Sequence, residues 1–210
     1  MTGLLDHFAQ AAARHPDRVA IVDGTGRQTS FAALKARADG FAARWQAQGI
    51  GHGDRVLMAR PVDADLYASL AALWALGAVA VLPEPAMGLR GLRHAARTTA
   101  PKALCAAGWY RALALLPELW GLSRLSDTPL PQRRVAPAAS EQDLALISFT
   151  SGTTGKAKAI PRSHGFLMAQ HDAIAPLLHS DQAQRDLVAF PVFTLINIAS
   201  PAASVVAFTG

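Results

Sequence analysis

Cysteine is almost absent from this chain of 210 residues. Cys105 stands alone, so no internal disulfide can form and a zinc site built on cysteines is excluded. It lies in the apolar run Ala103-Leu104-Cys105-Ala106-Ala107, which reads as a buried, inert thiol. Lysine is scarce as well, limited to Lys35, Lys102, Lys156 and Lys158. The net charge of +5 comes mainly from scattered arginines and includes no basic block, so it gives no argument for a nucleic-acid partner. Only 17% of residues are charged against 51% hydrophobic, which excludes intrinsic disorder. The N-terminus lacks a basic segment followed by an apolar one, so no secretory signal is read and a cytoplasmic location is expected.

Long unbroken hydrophobic runs are missing too. Residues 66–83 carry no charge, but Gly77 and Pro83 divide them into helix, tight turn and buried strand. Residues 187–210 are also uncharged, yet Pro191, Asn197 and Pro201 interrupt them, so no membrane span is expected. The chain ends in apolar sequence, Val205-Val206-Ala207-Phe208-Thr209-Gly210. An apolar last strand needs a neighbour, so the expectation is a truncated chain whose uncovered end is open to self-association.

What is present alternates. An apolar stripe at Leu4, Leu5, Phe8, Ala11 and Ala12 predicts a first helix, followed by a strand at Val19–Val22 and a hairpin turn at Asp23-Gly24-Thr25-Gly26. Ser30 is placed to cap a helix with the stripe Phe31, Leu34, Ala38, Phe41, Ala42 and Trp45, and Gly49 to stop it. Strands are predicted at 55–59, 78–82 and 103–106, with helices at 64–76, 88–97 and 109–116. Strands separated by helices indicate an α/β fold with partly parallel sheets and flanking helices. Three regions are expected: an N-terminal α/β region at 1–116, a surface connection at 117–141 rich in Pro, Ser and Arg, and a loop-bearing region at 142–210.

The chemistry gathers in that last region. The buried-strand pattern Leu144-Ala145-Leu146-Ile147-Ser148-Phe149 runs into Thr150-Ser151-Gly152-Thr153-Thr154-Gly155-Lys156-Ala157-Lys158. Gly152 and Gly155 permit close backbone approach, so successive N–H groups can converge on an anion. Thr150, Ser151, Thr153 and Thr154 add hydroxyl donors, and half of the chain's lysines lie beside them. A polyphosphate fits such a site, because each charge-assisted hydrogen bond is worth about 1.5–3 kcal/mol. The common P-loop, Gly, four residues, then Gly-Lys-Ser/Thr, does not match: Ala157 follows Gly155-Lys156, and Thr150 stands where its first Gly belongs.

The residue order instead resembles the phosphate loop of the adenylate-forming superfamily, which includes acyl-CoA synthetases, aryl-acid and peptide-synthetase adenylation domains and luciferases. Its motif runs Thr/Ser-Ser-Gly-Thr/Ser-Thr-Gly-x-Pro-Lys-Gly; Thr150 to Gly155 and Lys158 match, while Ala157 replaces Pro and Ala159 replaces Gly. Gly49-Ile50-Gly51-His52-Gly53-Asp54-Arg55-Val56 and Leu76-Gly77-Ala78-Val79-Ala80-Val81-Leu82-Pro83 also resemble structural segments of that family. Pro85-Ala86-Met87-Gly88 resembles its fatty-acid-activating and olefin-pathway β-lactone synthetase branch.

The resemblance implies the N-terminal part of the large domain of an enzyme that joins a carboxylic acid, a fatty acid among the candidates, to ATP and then to a thiol such as coenzyme A. It implies Lys158 as the catalytic cation and Thr150, Ser151, Gly152, Thr153, Thr154, Gly155 and Lys156 as nucleotide-binding, with Mg²⁺ on the phosphates. Phe193 and Thr194, in Phe190-Pro191-Val192-Phe193-Thr194, match the acid-pocket motif, with Thr194 where His is frequent. His164 and His171 lie seven apart without a carboxylate triad, so no metal ligand is assigned, and Arg162 and His164 are read as reaching either a ligand or solvent. The family's magnesium-holding Glu, ribose-holding Asp and small C-terminal domain would fall beyond Gly210, so the chain alone is expected to be incomplete for catalysis. The alternative reading is a non-catalytic or divergent nucleotide-binding module that acts through assembly.

Overall fold

Alternating apolar residues on the central strands divide the packing between two faces. The computed structural model describes residues 3–83, 88–131, 139–150, 157–177, 185–188 and 203–206. Its larger sheet has six strands: β3 (Arg55–Ala59), β4 (Val79–Leu82), β5 (Ala103–Ala106), β6 (Ser123–Arg124), β7 (Leu144–Thr150) and β8 (Lys158–Ser163). They lie in the order β6-β5-β3-β4-β7-β8, parallel except for β8, which runs antiparallel to β7. Parallel neighbours require crossovers, and α3 (Ala64–Ala75) and α4 (Gly88–Thr99) supply two of them.

Val56, Met58, Ala80 and Cys105 point to one face, where α1 (Leu4–Arg14), α2 (Phe31–Ala47), α3 and α5 (His164–Ile174) pack. Leu57, Val79, Val81, Leu104, Ile147 and Phe149 point to the other, against α4 and two 3-10 helices, Gly108–Leu115 and Pro117–Leu119. Each fully buried side chain of the size of Phe41, Leu57, Leu73 or Leu104 contributes roughly 1.5–3 kcal/mol. The stripe predicted on α2 is buried in full, Ser30 Oγ accepts from the Ala33 N–H at 3.2 Å as its cap, and Gly49 ends the helix segment at φ +85°. The indole N–H groups of Trp45 and Trp74 donate to the Ser126 and Ala145 carbonyls at 2.8 and 2.9 Å, which satisfies the one polar atom of each buried ring.

Two expectations change. The helix expected at 109–116 is a 3-10 helix, Gly108–Leu115, and Leu116 is extended. Residues 117–141 include a further 3-10 turn and β6, whose two residues extend the sheet beside β5. On α5, Phe166 is 51% exposed, and Leu167 and His171 are the buried residues.

The smaller sheet has the order β2-β1-β10-β9, from β1 (Val19–Val22), β2 (Gln28–Ser30), β9 (Arg185–Val188) and β10 (Ala203–Val206). β10 is hydrogen-bonded on both sides, parallel to β1 and to β9. The last apolar strand was expected to lack a neighbour, and it has two within its own chain. No helix among the described residues is long and apolar enough to cross a membrane.

Candidate functional site

The crossover leaving β4 goes to β5 on one side, and the chain leaving β7 goes to β8 on the other. Strands whose connections part in this way leave a crevice at their carboxyl ends, the usual ligand position in an open α/β sheet. Thr150 is the last residue of β7 and stands at that end, exposed.

A further strand lies between the glycine-rich loop and α5. This strand is β8, so the loop closes a hairpin: Thr150 pairs with Lys158, and the register continues through Phe149–Ala159 and Ser148–Ile160 to Ile147–Pro161. Pro161 obscured this strand in the sequence, but β8 is an edge strand, where a residue without an N–H can be tolerated. Ser151, Gly152, Thr153, Thr154, Gly155 and Lys156 lie outside the described residues, as do Phe193, Thr194 and the segment Pro85–Met87.

Both flanks of the loop are anchored. Phe149 is buried and meets the His94 ring edge-on at 5.8 Å, and His94 Nε2 donates to the Ala157 carbonyl at 2.7 Å. A carbonyl can only accept, so Nε2 carries the proton in this contact. Sequence reasoning did not find His94. Its only signal was a place on α4, far from the loop in the chain.

Charge sorts the lysines. Lys35 pairs with Asp39 at 2.5 Å, and Lys102 Nζ lies 2.6 Å from Asp54 while also donating to the Gly49 carbonyl. Lys158 is exposed and makes no ion pair with any described residue. Of the three described lysines, it is the one left without a carboxylate partner at this edge.

Arg162 and His164 turn inward. The Arg162 guanidinium donates to Ser148 Oγ on β7 and lies 5.8 Å from the Phe166 ring centre. His164 is half-buried against Trp74, at 6.0 Å between ring centres, and burial holds its pKa below the usual value of 6.5. Arg162 thus links α5 to the sheet, and His164 links it to α3. His171 is buried beside His7, with ring centres 5.5 Å apart, and the described residues contain no group of three metal-binding side chains.

The Cys105 thiol is buried and pushed up in pKa by that burial, as an inert thiol would be. Its neighbour Arg60, 3.9 Å away, was also missed; it is a buried charge held by Ser69 Oγ at 2.7 Å and Asp65 at 3.4 Å. Cavities of about 440 Å³ beside Arg37 and Asp65, and about 400 Å³ between Leu5 and Met168, involve neither Thr150 nor Lys158.

Residues 8–200 match the family described as AMP-binding enzyme. The chain belongs to that family. It is 28% identical over 229 aligned residues to the vibriobactin-specific 2,3-dihydroxybenzoate-AMP ligase of Vibrio cholerae, covering 99% of this chain and 42% of that protein. It is 32% identical over 174 residues to the medium/long-chain-fatty-acid–[acyl-carrier-protein] ligase FadD10 of Mycobacterium tuberculosis, covering 75% of this chain and 32% of that one. Among solved structures, the NpsA N-terminal subdomain of Klebsiella oxytoca, in complex with 3-hydroxybenzoyl-AMSN, superposes with a TM-score of 0.83 at 22% identity. That likeness covers 100% of this chain and 55% of the other, and it shows a shared fold. The chain thus spans about half the length of the proteins it matches, or less. Its family is adenylate-forming, with ATP as substrate.

Proposed function

We propose that this chain supplies the phosphate loop of a ligase that couples a carboxylic acid to ATP and passes the acyl group to a thiol such as coenzyme A. The carboxylate oxygen attacks the α-phosphorus, the bond from that phosphorus to the bridging oxygen of the β-phosphate breaks, and pyrophosphate leaves. Charge grows on the departing phosphates, so donors placed in advance lower the barrier. Lys158 is assigned that role at the base of the hairpin. Thr150, Ser151, Thr153 and Thr154 donate hydroxyls, Gly152 and Gly155 let backbone N–H groups approach, and Lys156 adds charge. Hydroxyls and an ammonium without a described carboxylate partner fit a polyphosphate and, when Mg²⁺ is bound, the ion supplies further neutralisation of the phosphates. Phe193 and Thr194 are assigned to the acid pocket.

One observation carries this reading: Lys158 faces Thr150 across the hairpin while the other described lysines are held by Asp39 and Asp54. Nucleotide affinity tests it. Lys158→Ala is expected to weaken ATP binding about 10- to 100-fold, the worth of one charge-assisted contact, whereas Lys35→Ala leaves it unchanged. Equal affinity in wild type and Lys158→Ala would remove the assignment.

The two relatives compared above differ in acid, 2,3-dihydroxybenzoate for one and medium- or long-chain fatty acids for the other. The resemblance of Pro85–Gly88 to the fatty-acid-activating branch favours the fatty acid. Pyrophosphate exchange by the full-length protein with a panel of aryl and fatty acids separates the two, and addition of coenzyme A or an acyl-carrier protein separates the acceptors.

A further inference from the structure

Two tryptophans and a leucine stand in water on the face opposite α1, α2 and α3. Trp109 is 70% exposed, Leu115 75% and Trp120 67%. Trp109 and Leu115 lie on the first of the two 3-10 helices and Trp120 directly follows the second; the two helices pack on one another, and the second packs on α4. Trp120 Nε1 donates to the Leu115 backbone carbonyl at 3.1 Å, which holds the indole beside the end of the first 3-10 helix, and the Trp109 ring stacks on Tyr110 at 3.9 Å.

The charge around them is one-sided. Residues 88–124 hold Arg90, Arg93, Arg97, Lys102, Arg111 and Arg124 against the single carboxylate Glu118, a net charge of +5 for this segment. Lys102 is taken up by Asp54, and Arg111 by Asp127. Arg93 and Arg97 share Glu118, at 3.1 and 3.5 Å, while Arg90 is exposed without an ion pair to any described residue. The five arginines thus face two carboxylates and keep a positive surplus.

We propose that this face docks onto an anionic lipid surface. Tryptophan prefers the boundary between water and lipid, where its apolar ring and polar N–H are both satisfied, and arginines beside it meet anionic headgroups. Two tryptophans and one leucine expose on the order of 400 Å² of apolar surface. A stable interface with another copy of the chain needs about 800 Å² from each partner. Lipid needs no such matched surface, so it is the occupant the charge and the size favour.

Sedimentation of the full chain with vesicles tests the proposal, using phosphatidylcholine alone and phosphatidylcholine mixed with phosphatidylglycerol. The expected result is binding to the mixed vesicles that weakens with salt, accompanied by a blue shift of tryptophan emission. That shift reports on Trp109 and Trp120, because Trp45 and Trp74 are already buried. The double variant Trp109→Ser/Trp120→Ser is expected to lose the shift and at least tenfold in partition, with an unaltered melting temperature. Arg90→Glu/Arg97→Glu is expected to lose more than 20-fold, at about fivefold for each arginine removed. Equal binding to both vesicle types, or none to either, would overturn the proposal. So would a dimer in solution that the tryptophan variant turns into a monomer, which would assign the face to a second copy.

Discussion

His94 on α4 holds the backbone carbonyl of Ala157 at 2.7 Å, while its ring edge meets Phe149 on the opposite strand of the hairpin. One imidazole therefore braces both flanks of the loop between Thr150 and Lys158. His94→Ala removes the bond and leaves a buried carbonyl with one partner fewer, at a cost of about 1–2 kcal/mol in urea unfolding. Amide exchange at Ala157 and Lys158 is expected to quicken, and ATP affinity to fall severalfold. Unchanged exchange at both positions would reduce His94 to a packing residue.

Arg60 and Asp65 make a second test, away from the loop. The Arg60 side chain is buried, and Asp65 serves it and Arg37 together. Asp65→Ala leaves the Arg60 charge buried without its counter-ion, and the expected loss of stability is about 3–5 kcal/mol. Arg60→Met is expected to cost less, about 2 kcal/mol or under, because it removes the charge along with its need for a partner and because the Ser69 hydroxyl keeps its bond to the Asp65 carbonyl at 2.6 Å. Paired denaturant titrations decide. A larger loss in Arg60→Met than in Asp65→Ala contradicts the account.

The difference between what sequence could and could not reveal follows range along the chain. The stripe from Phe31 to Trp45 is a local pattern, and every residue of it is buried. The cap at Ser30 was legible for the same reason, since a hydroxyl and the N–H three residues ahead are set by one turn of helix, and Ser163 caps α5 in the same way. The loop chemistry was legible as spacing, but its hairpin geometry was not: Pro161 argues locally against a strand, and only an edge position beside β7 permits one. His94 lies 63 residues from Ala157, and no periodicity reports such a contact. Gly40 is a further case. A Cβ there would come within 2.5 Å of the Leu130 carbonyl, so this mid-helix glycine marks a close approach by a segment 90 residues away.

His171 sets a pH dependence whose sign is fixed by burial. Its imidazole is buried on α5 beside His7; burial, then the neighbouring His7, lowers its pKa from the usual 6.5, partly opposed by Asp172. The folded chain thus takes up this proton less readily than the unfolded one. Stability from the neutral ring is fully present above the unfolded value of 6.5, declines as pH falls below it, and is lost once pH passes below the folded pKa. The melting temperature is therefore expected to drop between pH 7 and pH 5 in wild type, and to drop less in His171→Leu, whose side chain has no proton to gain. Asp143 adds a separate, lower window. The Ser140 N–H, then His52, hold its carboxylate down at about 2, so its contribution is present above pH 3.8 and is lost as pH falls through 2. A melting profile that is flat from pH 7 to pH 5, or equally steep in His171→Leu, would remove His171 as the source of the first slope.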